Sequence, residues 1–178
     1  MTKRLRSLSI LSVIIFLISA CGPWAVQTQP KEQIAPKAAF YESILGRSVT
    51  DEAVADFVAR NECSSANAFL LCQAAGMALW IDSNQVVEIV YLYLNHVDGF
   101  TPYNGELPYG LKYYDIMGAV EYKLKKHGLG KNGLPDEGGA PDHLHYWATY
   151  HQAGLTIIYN SPSPEDEDAT IHAILVGR

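Results

Sequence analysis

The chain has 178 residues, of which 48% are hydrophobic, and this is enough for one domain with a substantial buried core. It carries 13 Lys and Arg against 19 Asp and Glu, a formal net charge of −6. An acidic surface repels phosphate groups, so these counts argue against a nucleic-acid-binding protein and are compatible with a neutral or basic partner.

Residues 1–20 are typical of a secretory signal peptide. Lys3, Arg4 and Arg6 precede an apolar run that ends at Ala20. This run is shorter than the roughly 20 apolar residues that a membrane-spanning helix needs, so we expect a cleaved leader rather than a membrane-spanning anchor. Because three of the 13 basic side chains lie in the leader, its removal leaves 10 against 19 acidic ones, a net charge near −9.

Cys21 follows a short box of small and apolar residues, Ile18, Ser19 and Ala20, which fit a peptidase cleft. The box resembles the signal of bacterial lipoproteins. The resemblance implies a diacylglyceryl group on the thiol of Cys21 and a further acyl chain on its amine, while Gly22 implies sorting to the outer membrane. We therefore expect a lipid-anchored protein of the bacterial cell envelope that faces the periplasm and has no other cofactor. An unlipidated secreted protein is the alternative.

Residues 21–38 combine the expected lipidated cysteine with a flexible tether. The stretch 22–37 has three prolines, several Gln and Thr residues and no apolar periodicity. A chain of this composition reaches about 20–25 Å from the membrane, at roughly 5–6 Å times the square root of its length. Residues 39–178 are then expected to form a single folded domain.

Cys63 and Cys72 are the cysteines that remain after lipidation of Cys21. An oxidising compartment favours a disulfide between them, worth about 2–3 kcal/mol for such a short loop. A metal site and a thiol nucleophile are the alternatives. Zinc sites use more closely spaced pairs, and nothing beside these cysteines indicates a lowered thiol pKa, so we favour the disulfide.

A first structural unit is predicted from about residue 45 to residue 94. Ser48 and Thr50 are candidate N-caps for its helix. Two strands rich in β-branched and aromatic residues follow at 77–81 and 86–94, with turn residues between them. The apolar stripe of the helix consists of Val54, Phe57 and Val58.

A second unit, from about residue 107 to residue 176, repeats this order. Its helix has lysines near the end and Gly128 as the stop. A glycine-rich loop follows, and then three strand-like runs at 145–150, 155–159 and 170–176. The residues at helical spacing are Tyr113, Met117, Val120 and Leu124.

The two units carry one similar segment, which supports an internal repeat. Gln-Ala-Ala-Gly opens residues 73–81, Gln-Ala-Gly opens residues 152–159, and each precedes an apolar strand. In one such unit, a single helix packed on so small a sheet cannot bury all of the unit's apolar surface. We therefore predict an α+β fold in which the tandem units form one antiparallel sheet, with helices on one face and the other face open.

The segment Leu-Pro-Tyr-Gly-Leu-Lys-Tyr-Tyr-Asp at 107–115, which leads into a helix and then strands, carries a family resemblance. It resembles the small lipoproteins of bacterial outer-membrane β-barrel assembly. Their helix-then-strands unit is similar to the one that is doubled in the secreted β-lactamase inhibitor proteins. The resemblance covers residues 45–176 in pattern and implies a tandem fold of that kind.

Two motifs favour other functions but lie in unsuitable contexts. The glycines of 128–133 spell a dinucleotide-binding fingerprint, which works only between a strand and a helix; here it follows a helix, so we predict a surface loop. The acidic stretch 161–168 lacks the ligand spacing of a calcium loop and is predicted to be a solvated hairpin loop that could steer a basic partner.

The histidines are the one constellation that allows a metal. His143 and His145 point to one face at the start of a predicted strand, with His151 and His172 on neighbouring strands. A zinc or copper site formed by His143, His145 and His151 is therefore the alternative function. No serine or thiol lies in a recognisable nucleophile context, so we do not expect an enzyme.

Aromatic residues on the predicted open face favour a protein-binding function. Trp and Tyr anchor many interfaces, and a sheet face without helices leaves some of them accessible. We therefore expect a membrane-anchored module that binds an envelope or secreted protein, either as an assembly accessory or as an inhibitor of a periplasmic or extracellular enzyme. The expected contact residues are Tyr91, Tyr93, His145, Trp147 and His172.

Overall fold

A computed structural model describes residues 39–129, 136–139 and 144–177. The expectations for the leader, Cys21 and the tether lie outside these ranges. So do those for residues 130–133 of the glycine motif and for His143.

The described part of the chain forms an antiparallel sheet with three short α-helices, which confirms the predicted α+β class. The helices are α1 (Phe40–Ile44), α2 (Glu52–Arg60) and α3 (Met117–Lys126). The strands are β1 (Ser64–Ala66), β2 (Phe69–Cys72), β3 (Met77–Ile81), β4 (Val87–Tyr93), β5 (Asp136–Gly139), β6 (Tyr146–Tyr150), β7 (Leu155–Tyr159) and β8 (Ile171–Gly177). Among these residues, no helix is long and apolar enough to cross a membrane.

The strands join one eight-stranded sheet in the order β1-β2-β3-β4-β8-β7-β6-β5. Each neighbouring pair is antiparallel, and β4 pairs with β8 at the centre of the sheet. At this junction Tyr91 lies opposite Leu175, and Tyr93 lies opposite Ala173. The chain therefore builds one half of the sheet from each half of its sequence.

Helix α2 begins one residue after its N-cap, Asp51, whose side chain accepts a hydrogen bond from the Ala53 backbone N–H at 3.0 Å. The prediction that Ser48 or Thr50 caps this helix is wrong. Ser48 pairs with Val86 in an isolated β-bridge, and its hydroxyl lies 2.9 Å from that of Thr50. The bridge holds Ser48 in extended backbone, a full turn before the helix starts.

Helix α3 begins at Met117, so it does not include the first residue of the predicted apolar stripe. Tyr113 was expected on the helix but precedes it, because the Asp115 carboxylate and backbone close a turn back onto Lys112. The helix ends as predicted in a basic last turn, and Gly128 follows with a left-handed φ of 75°.

Strands β3 and β7 have the predicted bounds, but β1, β2 and β5 were not predicted. The loop prediction is wrong for Asp136–Gly139, which pairs with β6 from Asp136 opposite Thr149 to Gly139 opposite Tyr146. Nothing in its sequence favours a strand. Pairing with the neighbouring strand therefore overrides a weak local preference.

The two halves share details of their sheet connections. A short 3₁₀ turn, Gln73–Ala75, precedes Gly76, and a second one, His151–Ala153, precedes Gly154. Both glycines have left-handed φ values, 66° and 57°, and each immediately precedes a strand. The register shifts at Trp80/Ile81 in one half and at Ile158/Tyr159 in the other.

One hydrophobic cluster forms the core of the described domain. It contains apolar residues of the helices together with alternate residues of strands β3, β4, β6, β7 and β8. Fully burying one such side chain contributes about 1.5–3 kcal/mol. Its helix members include Val54, Phe57, Val120 and Leu124, and its strand members include Leu79, Val90, Leu92, Ile157 and Ile174.

A disulfide joins Cys63 and Cys72, as predicted. Cys63 follows the end of α2, and Cys72 is the last residue of β2 and is fully buried. The disulfide therefore fixes the chain that leaves α2 to strand β2, near one edge of the sheet.

Candidate functional site

The strand residues that alternate with core residues form a second surface, here called the outer face. Across β3, β4 and β8, one row runs from Ala78 through Tyr91 to Leu175. None of the residues on this surface belongs to the hydrophobic core cluster. The outer face consists of Phe69, Leu71, Ala78, Trp80, Ile89, Tyr91, Tyr93, Trp147, Thr149, Thr156, Ile158, Ala173 and Leu175.

The large side chains of the outer face are half-buried, and their polar tips have no partner in the described part of the protein. This applies to the indole N–H groups of Trp80 and Trp147 and to the hydroxyls of Tyr91 and Tyr93. Burial raises the pKa of both tyrosine hydroxyls above the ordinary value of 10.0. An apolar body with an unused polar tip is the side-chain type that anchors protein interfaces.

Four aromatic rings follow one another across one half of the outer face. Phe69 lies 5.7 Å from Tyr91 edge-on, and Tyr91 lies 6.5 Å from Tyr93. Tyr93 in turn lies 4.3 Å from Phe100, which belongs to the loop after β4. The loop is held in place because the Tyr103 N–H donates to the Tyr93 carbonyl at 2.7 Å. Phe100 therefore covers part of Tyr93, whereas Tyr91 lies nearer the middle of the face.

The other half of the outer face carries Trp147, and a pair of histidines lies at the strand ends next to it: His145 just before β6 and His172 near the start of β8. The rings of His145 and His172 lie 4.1 Å apart. Asn160 donates through its amide nitrogen to the Ile171 carbonyl at 3.4 Å, so its Oδ1 accepts from His172 Nδ1 at 2.9 Å. This hydrogen bond assigns the proton of the neutral His172 ring to Nδ1.

The structure does not bring together the histidines of the alternative metal site. His145 and His151 flank β6 at opposite ends, about 20 Å apart at a rise of 3.3 Å per residue, so they cannot share one ion. His143 lies outside the described residues. Within the described ranges, no group of three or more His, Cys, Asp and Glu residues could hold a metal ion.

A shallow depression of about 300 Å³ lies at one end of the outer face. Its floor is formed by Gly154 and Gly177, which have no side chains to fill the space. The Gly177 N–H donates to the Gly154 carbonyl at 2.7 Å. Apolar walls and a few polar groups surround this floor, an arrangement that suits a small group or side chain. The lining residues are Trp80, Glu88, Ile89, Thr149, His151, Gly154, Leu155, Thr156, Leu175 and Gly177.

The acidic residues of the loop 161–168 are exposed, and backbone hydrogen bonds tie the end of this loop to helix α3. Backbone N–H groups at the start of α3 donate to it: Met117 to the Ala169 carbonyl at 3.0 Å and Gly118 to the Glu167 carbonyl at 3.3 Å. These bonds place the loop beside α3.

Comparisons with protein-family models, with curated proteins and with solved structures give no match for this chain.

Sequence reasoning found Tyr91, Tyr93 and Trp147 but missed other parts of the outer face. Phe69 was missed because its short strand, Phe-Leu-Leu-Cys, has no alternation of apolar and polar residues. Glu88 was missed because it reaches the outer face through an irregularity in the β3–β4 register, and a bulge leaves no clear sequence signal.

Proposed function

We propose that this protein is a lipid-anchored module of the bacterial cell envelope that binds another protein through the outer face. The observation that carries the proposal is the composition of that face: large, half-buried aromatic side chains outside the core, whose polar tips have no partner among the described residues. Soluble monomeric proteins rarely expose contiguous apolar surfaces of this kind unless the surface is functional. The module acts by surface complementarity, without catalysis.

The proposal includes a tandem arrangement of two helix-and-strand units, with the helices on the inner face of the sheet. The mirrored strand order around the β4–β8 junction supports it, as do the matching left-handed glycines before β3 and β7. The shared cluster of helix and inner-face residues supports the helix placement. A sheet covered on one side leaves the other side available for a partner.

The width of the outer face suits a protein rather than a small ligand. Residues of six adjacent strands, from β2 to β6 in the sheet order, contribute to it, and strands lie about 4.8 Å apart, so the face is about 24 Å wide. A standard interface buries roughly 800 Å² on each partner. An assembly accessory and an enzyme inhibitor would both use such a surface. They differ in the partner: integral barrel proteins for the former, a soluble enzyme for the latter.

A crosslinking pull-down from intact envelopes tests the binding function. The test variant combines Tyr91→Ala with Trp147→Ala, which removes an anchor from each half of the outer face. The control combines Tyr113→Ala with Tyr114→Ala, two tyrosines that are 66% and 62% exposed on a separate turn. We expect one specific partner with the wild type and the control, and at least tenfold less of it with the test variant.

Both variants must unfold at the wild-type temperature within a few degrees, so that a folding defect is excluded. Equal recovery of the same proteins with the test variant and the wild type would contradict binding through the outer face. Stoichiometric zinc or copper in protein purified without a His tag would support the metal alternative instead.

The lipid anchor has a separate test. Replacing Cys21 by Ala should move the protein from the membrane fraction to the soluble fraction and remove the mass of the acyl chains. Retention of Cys21→Ala in the membrane with unchanged processing would show that the anchor assignment is wrong.

A further inference from the structure

The depression at the end of the outer face has the features of an anchor pocket. It lies over the junction of the two central strands, at the point where Ile89 on β4 is paired with Gly177 on β8. An added Cβ at Gly177 would find its nearest neighbours at 3.7 Å, so this position has room for a small group. A partner side chain can therefore approach the backbone of the sheet at this point.

A register irregularity turns Glu88 toward the outer face. Trp80 lies opposite Ile89, but the next residue, Ile81, lies opposite Val87, so Glu88 is the extra residue of a bulge. Glu88 is exposed and lines the depression beside Trp80. The bulge thus places a carboxylate at the edge of an otherwise aromatic and aliphatic surface.

The charge of Glu88 is not compensated within the described protein. None of the ion pairs of the described residues involves it, and none of the outer-face residues is Lys or Arg. The indole of Trp80 lines the same depression and offers an aromatic surface. On the opposite wall, the hydroxyls of Thr149 and Thr156 lie 2.9 Å apart, and both retain capacity to accept hydrogen bonds.

We propose that this depression binds an arginine side chain of the partner protein, an inference that rests on the proposed binding function and specifies its chemistry. The guanidinium group pairs with the Glu88 carboxylate and packs against the Trp80 ring, and its remaining N–H groups donate to Thr149 and Thr156. Arginine fits better than lysine because its planar group combines fork-shaped donors with stacking. The net negative charge of the chain favours the approach of such a basic partner.

The test is an NMR titration of the full chain, purified in detergent, with N-acetyl-arginine methylamide as the probe. The uncharged comparison probe is N-acetyl-citrulline methylamide, which has nearly the same shape. A capped amino acid of this size binds with a dissociation constant on the order of millimolar, which chemical-shift changes detect. We expect saturable shifts at the Trp80 indole N–H and at the amides of Gly154 and Gly177 with the arginine probe, at least fivefold weaker with citrulline.

Two variants locate the site. Glu88→Gln keeps the size of the side chain and should weaken arginine binding at least fivefold, whereas the exposed Glu62→Gln should leave it unchanged. Gly177→Ala partly fills the depression without a close contact and should also weaken binding. Equal shifts with both probes, or full binding by Glu88→Gln, would overturn the proposal.

The result is independent of the pull-down test. If the arginine probe does not bind but the partner is still lost with Tyr91→Ala and Trp147→Ala, the outer face binds proteins and the arginine pocket is wrong. If neither effect is seen, both proposals fail.

Discussion

The ammonium group of Lys123 lies 2.6 Å from Asp115 Oδ2 and 2.9 Å from Asp115 Oδ1. The same carboxylate accepts the backbone N–H of Lys112 at 2.7 Å, and Lys123 also donates to the carbonyl of Gly110 at 3.2 Å. The Asp115 side chain is 6% exposed. This one pair therefore fastens the segment before α3 to the middle of the helix.

Replacing Asp115 by Ala should destabilise the protein by about 3 kcal/mol, because it leaves a partly buried ammonium group and a turn N–H without their acceptor. Asp56→Ala is the matched control, since it removes an i,i+4 ion pair with Arg60 whose side chains are 60% and 76% exposed. The control should lose less than about 0.5 kcal/mol. Urea unfolding measures both values, and equal losses would contradict a structural role for the Asp115–Lys123 pair.

The disulfide should contribute about 2–3 kcal/mol by restricting the unfolded chain. The variant with Cys63→Ala and Cys72→Ala tests this, because a single replacement would leave a reactive thiol beside the core. We expect a lower denaturation midpoint than for the oxidised wild type. The wild type under reducing conditions should approach the midpoint of the double variant. No change on reduction would mean that the two thiols are not paired in solution.

Gly76 should be intolerant of any side chain. It has a left-handed φ of 66°, and an added Cβ would overlap the Thr101 carbonyl oxygen and the Tyr103 backbone nitrogen. Gly110 has a similar φ of 69° but nothing within 4 Å of an added Cβ. Gly110→Ala should therefore cost about 1 kcal/mol for the backbone conformation alone. Gly76→Ala should cost at least twice as much, because the loop after β4 must move.

Tyr159 has an accessibility of 0%, and among the described residues its hydroxyl has no hydrogen-bond partner. Tyr159→Phe keeps the ring in the core and removes the unsatisfied group, so we expect the variant to be about 1 kcal/mol more stable than the wild type near pH 7. Thermal or urea unfolding checks this. A loss of stability would show that the hydroxyl has a favourable partner in solution.

The same residue predicts a loss of stability at alkaline pH. Burial raises the pKa of the Tyr159 hydroxyl well above its ordinary value of 10.0. Above about pH 10 the unfolded chain therefore loses a proton that the folded chain retains, and stability falls as the pH rises further. Between about pH 10 and pH 11, the free energy of unfolding of the Tyr159→Phe variant should decrease less than that of the wild type. Identical pH profiles would argue that other groups, such as the similarly buried Tyr41, cause the decrease.

Local patterns predicted the elements that are long, periodic or bounded by strong signals. The β-branched runs of β3 and β7 have the predicted bounds, and the stripe Val54, Phe57 and Val58 lies on a helix. The predictions failed where the deciding partner is distant in the chain. Asp136–Gly139 is a strand only through its pairing with β6, and Tyr113 leaves the helix because Asp115 closes a turn.

For the candidate site, alternation along a strand placed Tyr91 and Tyr93 on the same face, because side chains of a strand alternate with a period of two. The same strand geometry separates two histidines of the alternative metal cluster, since His145 and His151 lie at opposite ends of one strand.

The amino-acid sequence by itself determined the α+β class, the bounds of strands β3 and β7 and the cysteine pair, because these depend on residues close together in the chain. Only the tertiary structure decided that β4 pairs with β8, which joins the two halves into one face. It also decided that a bulge turns Glu88 to that face and that Gly177 and Gly154 meet to form the floor of the depression. Register and contact between distant strands follow from the packing of the whole sheet, which no local pattern encodes.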